Sequence, residues 1–260
     1  MTPTATVLTD YGSRRDLVGP VPAPRYVFVE HTLAPGRAVP FRSDPLHHRT
    51  FVVLRSEVAL ELPDGSTAGR YRRLEGWHAP AGSAYRFTNR GSGTAVLLEA
   101  GSVGERVGCG NAVPGPFPAI STYAVAKPWG HEIWYTQNLP DPGYAVKQIH
   151  MTAGHQSSLQ SHRWKAETNH VVDGAATVLA GLTAPADPDE QVDVSLLVTT
   201  VHPVGSGWTS PPGELHRVIA RTDYTAIEVS TPELDDVIRW QDDTGRAHGR
   251  IAEEHAGGRP

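Results

Sequence analysis

The chain has 260 residues, enough for one large domain or two small ones, and 39% of them are hydrophobic, which suffices for a packed core. A net charge of −5 without a long basic run argues against a nucleic-acid partner. No segment has the apolarity of a signal peptide or the length of a membrane span, so we expect a cytoplasmic protein without a membrane contact.

In chain order, the pattern predicts many short strands, because 26 glycines and 22 prolines interrupt short runs of β-branched and aromatic residues. Residues 1–20 and 248–260 are predicted to be weakly packed tails, and the Gly/Pro-rich stretch 104–122 a linker that holds the single cysteine, Cys109. The acidic stretch Pro232–Gln241 is the one helix candidate. The predicted strands are Tyr26–Glu30, Thr50–Leu54, Val58–Leu62, Thr94–Leu98, Ala145–His150, His170–Val172, Ser195–Val201 and Ala226–Val229.

The two halves of the chain are related by an internal repeat. The segment APGRAVPFRSDP, which contains Gly36, aligns with TAGHQSSLQSHR, which contains Gly154, and the same offset aligns the strands that follow. A repeat made mainly of strands implies two small barrels or sandwiches that arose by duplication. We place the two barrels at 21–103 and 123–247.

The second half carries side chains of metal-ligand type at a regular spacing. Gln160 and His162 stand two residues apart on a strand and therefore point to the same face. Glu167 returns to that face after a turn, and His216 follows a Pro-Gly turn on a later strand. Two imidazoles, one carboxylate and one amide oxygen suit one divalent ion, zinc first, with iron, manganese, nickel or cobalt as alternatives. The other interpretation is a barrel that kept its shape and lost its metal.

These spacings resemble the two sequence motifs of the cupin superfamily. Gln160 stands where the first motif has a histidine, and Ala220 where the second has its closing asparagine. The resemblance implies an all-β fold of two tandem cupin barrels, also called double-stranded β-helices or jelly rolls, of which the second binds the metal. The glycine, proline and ligand positions that carry the resemblance are Gly154, Gln160, His162, Glu167, Gly174, Gly205, Pro211, Gly213 and His216.

Residues 123–247 are similar to the cupin domain of type II mannose-6-phosphate isomerases, which use a glutamine at the position of Gln160. The segments that carry this similarity are Lys127–Tyr135, Tyr144–His162 and Glu228–Arg246. It implies a metal-dependent isomerase or epimerase for a sugar, a sugar phosphate or a similar hydroxy-carbonyl metabolite. The metal would act as a Lewis acid that stabilises an enediolate.

The first barrel has different side chains at the positions of the ligands, namely Arg42, Asp44, Arg49 and Tyr85. Arginine stays protonated at physiological pH and does not ligate metals, so we expect this barrel to be metal-free. Asp44 between two arginines indicates an internal ion-pair cluster with a structural role. The alternative is a pocket in which the guanidinium groups bind a carboxylate or a phosphate.

Three more side chains of the second barrel are candidates for catalysis. Lys147 shares a strand face with Ala145, Ile149 and Met151, which points it into the barrel near the metal, where a lowered pKa would make it an acid, a base or an anion ligand. Pairing with a core carboxylate such as Glu228 is the other interpretation of Lys147. Lys165, in the turn between ligands, is either a phosphate contact or a solvated turn residue. Strand alternation points Asn169 inward and His170 outward.

Three classes of function are consistent with this pattern. The leading one is the isomerase or epimerase, the second is an iron-dependent cupin dioxygenase or oxygenase, and the third is a bicupin that binds a small molecule without turnover. The expected partner is a small-molecule substrate in each enzymatic case, and exposed strand edges would allow a homodimer. Metal content separates the first two classes, because iron together with oxygen consumption indicates an oxygenase.

Overall fold

The protein is described by a computed structural model and divides into two compact units. The first unit is Met1–Ser121 with Leu139–Tyr144, and the second is Thr122–Asn138 with Ala145–Pro260. No helix within the described part of the chain combines the length and the apolarity that membrane crossing requires. The described residues are 5–19, 25–103, 116–137, 139, 143–187, 190–246 and 249–251.

The first unit contains two antiparallel sheets, with the strand orders β1-β2-β3-β9-β4-β7 and β6-β5-β8, whose bounds are given at the end of this paragraph. Both sheets contribute aromatic side chains to one core. Phe51 stacks on Trp77 with ring centroids 4.8 Å apart, and Phe87 lies 5.3 Å from Phe51. The strands are β1 (Thr6–Thr9), β2 (Gly12–Asp16), β3 (Tyr26–Leu33), β4 (Arg49–Arg55), β5 (Val58–Glu61), β6 (Thr67–Tyr71), β7 (Gly76–Ala79), β8 (Arg86–Asn89) and β9 (Ala95–Ser102).

The second unit contains one sheet that curls around a long strand and a short 3-10 helix, Val194–Leu196. Its strands are β10 (Tyr123–Lys127), β11 (Gly130–Trp134), β12 (Ala145–Met151), β13 (Leu159–Ser161), β14 (Glu167–Thr183), β15 (Val198–Pro203), β16 (Gly207–Ser210), β17 (Glu214–Ile219), β18 (Tyr224–Ser230), β19 (Val237–Gln241) and β20 (Gly249–Ile251). The path is β10-β11-β12-β18-β14-β17-β13-β19-β20. The first half of β14 pairs with β16 and β18 and the second half with β15 and β17, so one strand serves both walls of the barrel.

The change of partners along β14 depends on a bulge and a glycine. The register against β18 shifts between Val171 and Asp173, and Gly174 follows with a φ of +67°. A Cβ atom at position 174 would lie 2.0 Å from the carbonyl oxygen of Asp223, so a side chain cannot be accommodated there. This close approach explains why the first motif ends in glycine.

The fold confirms the prediction of two all-β barrels and corrects three segments. Residues 6–16, predicted as part of a tail, form the hairpin of β1 and β2, which extends the sheet from β3. In the predicted tail 248–260, β20 pairs with β19, and residues 252–260 lie outside the described part. The predicted helix Pro232–Gln241 is wrong, because Val237–Gln241 forms β19, which pairs with β13.

Each predicted strand overlaps an observed one, and two of them differ clearly in extent. His170–Val172 is only a part of the 17-residue β14, and Ser195–Val201 begins in the 3-10 helix before β15. Of the predicted linker, residues 104–115, with Cys109, lie outside the described part. Ala119, in the same predicted linker, forms a β-bridge within the first unit.

Candidate metal centre

His162 is held in the orientation of a metal ligand. It follows β13, which is anchored because the indole Nε1 of Trp240 donates to Ser161 Oγ at 2.9 Å. The Nδ1 of His162 donates to the backbone carbonyl of Asp236 at 2.5 Å, which assigns the proton to that nitrogen. The Nε2 atom therefore carries a lone pair; it lies 3.4 Å from Glu167 Oε2 and makes no hydrogen bond.

His216, on β17, has the same arrangement. Its Nδ1 donates to the carbonyl of Glu214 at 3.2 Å, and its Nε2 lies 3.2 Å from Glu167 Oε1. Glu167, the first residue of β14, thus turns one carboxylate oxygen toward each histidine. Ligand atoms of His162, Glu167 and His216 lie within 4.8 Å of one another, and all three side chains are buried.

Gln160 lies next to these three residues. It pairs with His216 across β13 and β17, and its Nε2 is 3.2 Å from His216 Nε2. Its Oε1 is 3.5 Å from Ser158 Oγ. A half-turn of the amide exchanges the nitrogen for the oxygen, the atom that ligates metals. The structure therefore brings together all four residues that the spacing singled out.

This arrangement fits a divalent metal ion. Both histidines expose a basic Nε2 while Nδ1–H is bonded to a backbone carbonyl, the support that metal-ligating histidines commonly have. The buried Nε2 of His162, which accepts no hydrogen bond, is an acceptor for which a cation is a suitable partner. Two nitrogens and two oxygens suit a first-row transition metal and leave positions for water or substrate.

The ligands face a cavity whose wall carries a chain of charged side chains of alternating sign. Lys147 Nζ is 2.9 Å from Glu132 Oε1 and 3.4 Å from Glu228 Oε1. Lys165 Nζ is 3.2 Å from the same Glu228 oxygen and 2.5 Å from Glu167 Oε2. The chain of ion pairs therefore ends on one of the predicted metal ligands.

Lys147 is a fixed cation rather than a base. Burial disfavours its charged form, but the carboxylates of Glu132, Glu228 and Glu167 outweigh burial and raise its pKa above the ordinary value. The carboxylates therefore act in the opposite direction to the expected lowering of this pKa. The expectation considered only the metal and burial, whereas the ammonium contacts the carboxylates of Glu132 and Glu228, which lie on the two strands that pair with β12. The alternative pairing with Glu228 is present.

Lys165 is buried, which corrects the interpretation as a solvated turn residue. Only 5% of the residue is exposed. Burial lowers the pKa of Lys165, but the carboxylates of Glu167 and Glu228 outweigh burial and raise this pKa above its ordinary value. The reason lies in Asp236, whose carboxylate accepts the backbone N–H groups of Trp164 and Lys165 and folds the turn inward. The same lysine holds the pKa of Glu167 well below its ordinary value against the effect of burial.

Asn169 lines the cavity, as strand alternation predicts, and stands opposite Glu228 in the register of β14 and β18. His170 does not face solvent: it is 2% exposed, so β14 is covered on both sides at this point. Two site residues were missed in the sequence. Glu132 could have been found, because it stands two residues before the buried Trp134 in β11 and shares its face. The role of Asp236 depends on a contact with His162, which is distant in the chain.

In the first unit, the positions equivalent to the ligands form an ion-pair cluster around Glu99. Arg42 donates two hydrogen bonds to this carboxylate, and His31 Nε2 lies 2.7 Å from it. Arg49 lies 2.5 Å from Asp44, and its Nε is 3.6 Å from Glu99 Oε1. Burial opposes the ionisation of Glu99, but His31 and Arg42 outweigh burial and lower its pKa to about 2.

This cluster corrects the expected arrangement in one respect. Asp44 does not bridge two arginines; it pairs with Arg49 and, at 3.1 Å, with Nδ1 of His47. The reason is that Arg42 bonds to a carboxylate of β9. Tyr85 is buried beside it, with its ring centroid 5.9 Å from Arg42 Cζ. These contacts favour the structural interpretation, because each of the two arginines has a carboxylate partner inside the unit.

Comparison with known proteins gives a fold but no close relative. No protein-family model and no curated protein sequence matches the chain. Its fold matches Lactobacillus farciminis oxalate decarboxylase in a formate complex (TM-score 0.62, 15% identity, 91% of this chain and 86% of that one). It also matches AerE from Microcystis aeruginosa (TM-score 0.62, 12% identity, 89% and 98%). The chain has the cupin fold.

A third cupin of similar fold is Bacillus subtilis oxalate decarboxylase, a protein with Mn(II) centres (TM-score 0.61, 12% identity, 91% of this chain and 77% of that one). At these identities the likeness establishes the arrangement of the strands and leaves the substrate open. Two of these three proteins are oxalate decarboxylases and none is named as a mannose-6-phosphate isomerase, so that resemblance remains an interpretation of the sequence.

Proposed function

We propose that this bicupin is a metal-dependent isomerase or epimerase for a sugar, a sugar phosphate or a similar hydroxy-carbonyl metabolite. The observation that carries the proposal is the convergence of His162, Glu167 and His216 beside a cavity lined with paired lysines and glutamates. Its coarser part, a metal-dependent cupin enzyme, agrees with the oxalate decarboxylases that share the fold.

The charge of the cavity favours an anionic substrate or intermediate. Three lysines and three glutamates along its wall cancel in charge, and Arg246, which also lines it, pairs with Asp242 at 2.6 Å. A divalent ion would add two positive charges that no protein group neutralises. Because these charges lie in a buried site, they favour a phosphate group or a developing enediolate over a neutral molecule.

The residues divide into four roles. His162, His216, Glu167 and Gln160 would hold the ion, which supplies a Lewis acid when bound. Lys147 and Lys165 stabilise negative charge that develops on the substrate oxygens. Glu228 touches both lysines and lies outside the ligand set, so we assign it the transfer of a proton between adjacent carbons. Asn169 is assigned to a substrate hydroxyl.

Solvent isotope exchange tests this assignment. The metal-loaded protein is incubated in D₂O with aldoses, ketoses and their phosphates, and NMR detects deuterium at the carbon next to the carbonyl. We expect exchange with at least one substrate, and Glu228→Gln, loaded at saturating metal, should slow it about 100- to 10,000-fold. Glu190→Gln, an exposed glutamate of the same unit, is the matched control.

Two outcomes would contradict the proposal. Oxygen uptake by the iron-loaded protein without deuterium exchange indicates an oxygenase. Binding of sugars or sugar phosphates with neither exchange nor turnover indicates a non-catalytic bicupin.

A further inference from the structure

Lys165 contacts Glu167, the carboxylate that would ligate the proposed metal ion. Its Nζ is 2.5 Å from Glu167 Oε2, the same oxygen that lies 3.4 Å from His162 Nε2. An ammonium at this oxygen neutralises the carboxylate that would attract the ion, and the two cations repel each other at such a distance. The two cations therefore compete for Glu167.

A second acceptor is within reach of the same ammonium. Glu228 Oε1 is 3.2 Å from Lys165 Nζ, so the lysine already contacts both carboxylates. Its backbone is fixed, because the N–H of Lys165 donates to Asp236 Oδ2 at 2.9 Å. Only the tip of the side chain has to move for the ammonium to leave Glu167 and stay paired with Glu228.

Lys147 provides the contrast within the same cavity. Its ammonium contacts Glu132 and Glu228, neither of which belongs to the ligand set. Both lysines are buried and both carry one positive charge, but only Lys165 touches a residue that binds the ion. A specific effect on the metal is therefore expected for one of the two lysines.

We propose that Lys165 is an internal placeholder for the metal. It neutralises Glu167 in the empty barrel, and it passes to Glu228 and to the anionic group of the substrate when the ion enters. The proposal rests on the metal site of the proposed function and adds to it a coupling between metal loading and substrate binding. A buried carboxylate without a cation is unstable, so the placeholder preserves the fold of the empty site.

Metal affinity and the stability of the metal-free protein test the placeholder. Zinc is titrated into chelator-stripped wild type, Lys165→Met, Lys165→Gln and Lys147→Met against a chromophoric chelator of known affinity. We expect the Kd for zinc to fall at least about tenfold in both Lys165 variants, because a competing positive charge is removed. In Lys147→Met, whose ammonium does not touch a ligand, the Kd should change less than in either Lys165 variant.

The stability of the empty barrel gives a readout that does not depend on activity. Without metal, both Lys165 variants should have a lower melting temperature than wild type. Zinc should raise the melting temperature of these variants by more than it raises that of wild type. An unchanged or weaker affinity in Lys165→Met and Lys165→Gln, beside a wild type that binds zinc, overturns the placeholder alone. A wild type that binds no divalent ion at all overturns the metal site and the placeholder together.

Discussion

Replacing His216 or His162 by alanine is expected to empty the metal centre. Each imidazole offers Nε2 to the same point, and each is held there by one backbone carbonyl, so a truncated side chain has no substitute among the described neighbours. Loss of a hydrogen-bonding partner around a metal ligand weakens metal affinity by about 10- to 100-fold, and loss of the ligand itself should weaken it further. Metal per chain, measured after purification without chelators or an affinity tag, should fall from one toward zero.

The matched control is His155→Ala in the same unit. His155 is exposed, and its Nδ1 lies 3.2 Å from the carbonyl of Ala153 in its own turn. This variant should keep its metal. The first unit should stay folded in all three variants, with unchanged amide hydrogen exchange in its core. Full metal content in both His162→Ala and His216→Ala would refute the assignment of the ligands.

Replacing Glu99 by glutamine is expected to destabilise the first unit by about 1.5–3 kcal/mol. Glu99 is 3% exposed and is bonded to Arg42 and His31. Glutamine keeps the volume of the side chain but removes the counter-charge of Arg42, whose side chain is 34% exposed, so solvent offsets part of the loss. Urea denaturation followed through the core of the first unit measures the loss.

The control for this substitution is Glu57→Gln. Glu57 also pairs with two arginines, Arg70 at 3.3 Å and Arg72 at 3.2 Å, but both arginine side chains are largely exposed. Exposed pairs contribute about 0–1 kcal/mol, so this variant should remain close to wild type. Equal losses in the two variants would show that the cluster around Glu99 has no special structural role.

The same carboxylate predicts how acid affects the first unit. The pKa of Glu99 is lowered from 4.5 to about 2, so its contribution to folding is complete above pH 4.5 and is lost as the pH falls toward 2. The difference in unfolding free energy between wild type and Glu99→Gln should therefore shrink over this interval. A difference that stays constant between pH 5 and about pH 3 would contradict the ion pairing.

The sequence was sufficient for eight of the 20 described strands and for the four candidate ligands, because these depend on local spacing. Gln160 and His162 share a face through the two-residue period of a strand, and the glycine and proline positions define the turns before His216. The error at Pro232–Gln241 has a local cause: its acidic residues are typical of the first turn of a helix. In the structure, Asp236 instead caps the turn that carries Lys165.

The remaining features depend on contacts between distant segments. Glu228 meets Lys147 and Lys165 only because β18 lies between β12 and β14. Glu99 occupies the corresponding position of the first barrel: it pairs with Val29, as Glu228 pairs with Lys147, and the repeat aligns Val29 with Lys147. Which strands pair in the sheet cannot be read from spacing along the chain. The raised pKa of Lys147 and the pairing of Arg42 with Glu99 therefore could not be derived from it.

X-ray absorption spectroscopy of the metal-loaded protein tests the central claim most directly, because it counts the ligands around the ion. Gln160, His162, Glu167 and His216 predict one ion per chain with two imidazole nitrogens at about 2.0–2.1 Å and the other neighbours oxygen. In His216→Ala, any ion that remains bound should have one imidazole neighbour instead of two. An ion surrounded by oxygen alone, or an imidazole count unchanged in His216→Ala, would contradict the convergence of these side chains on one metal.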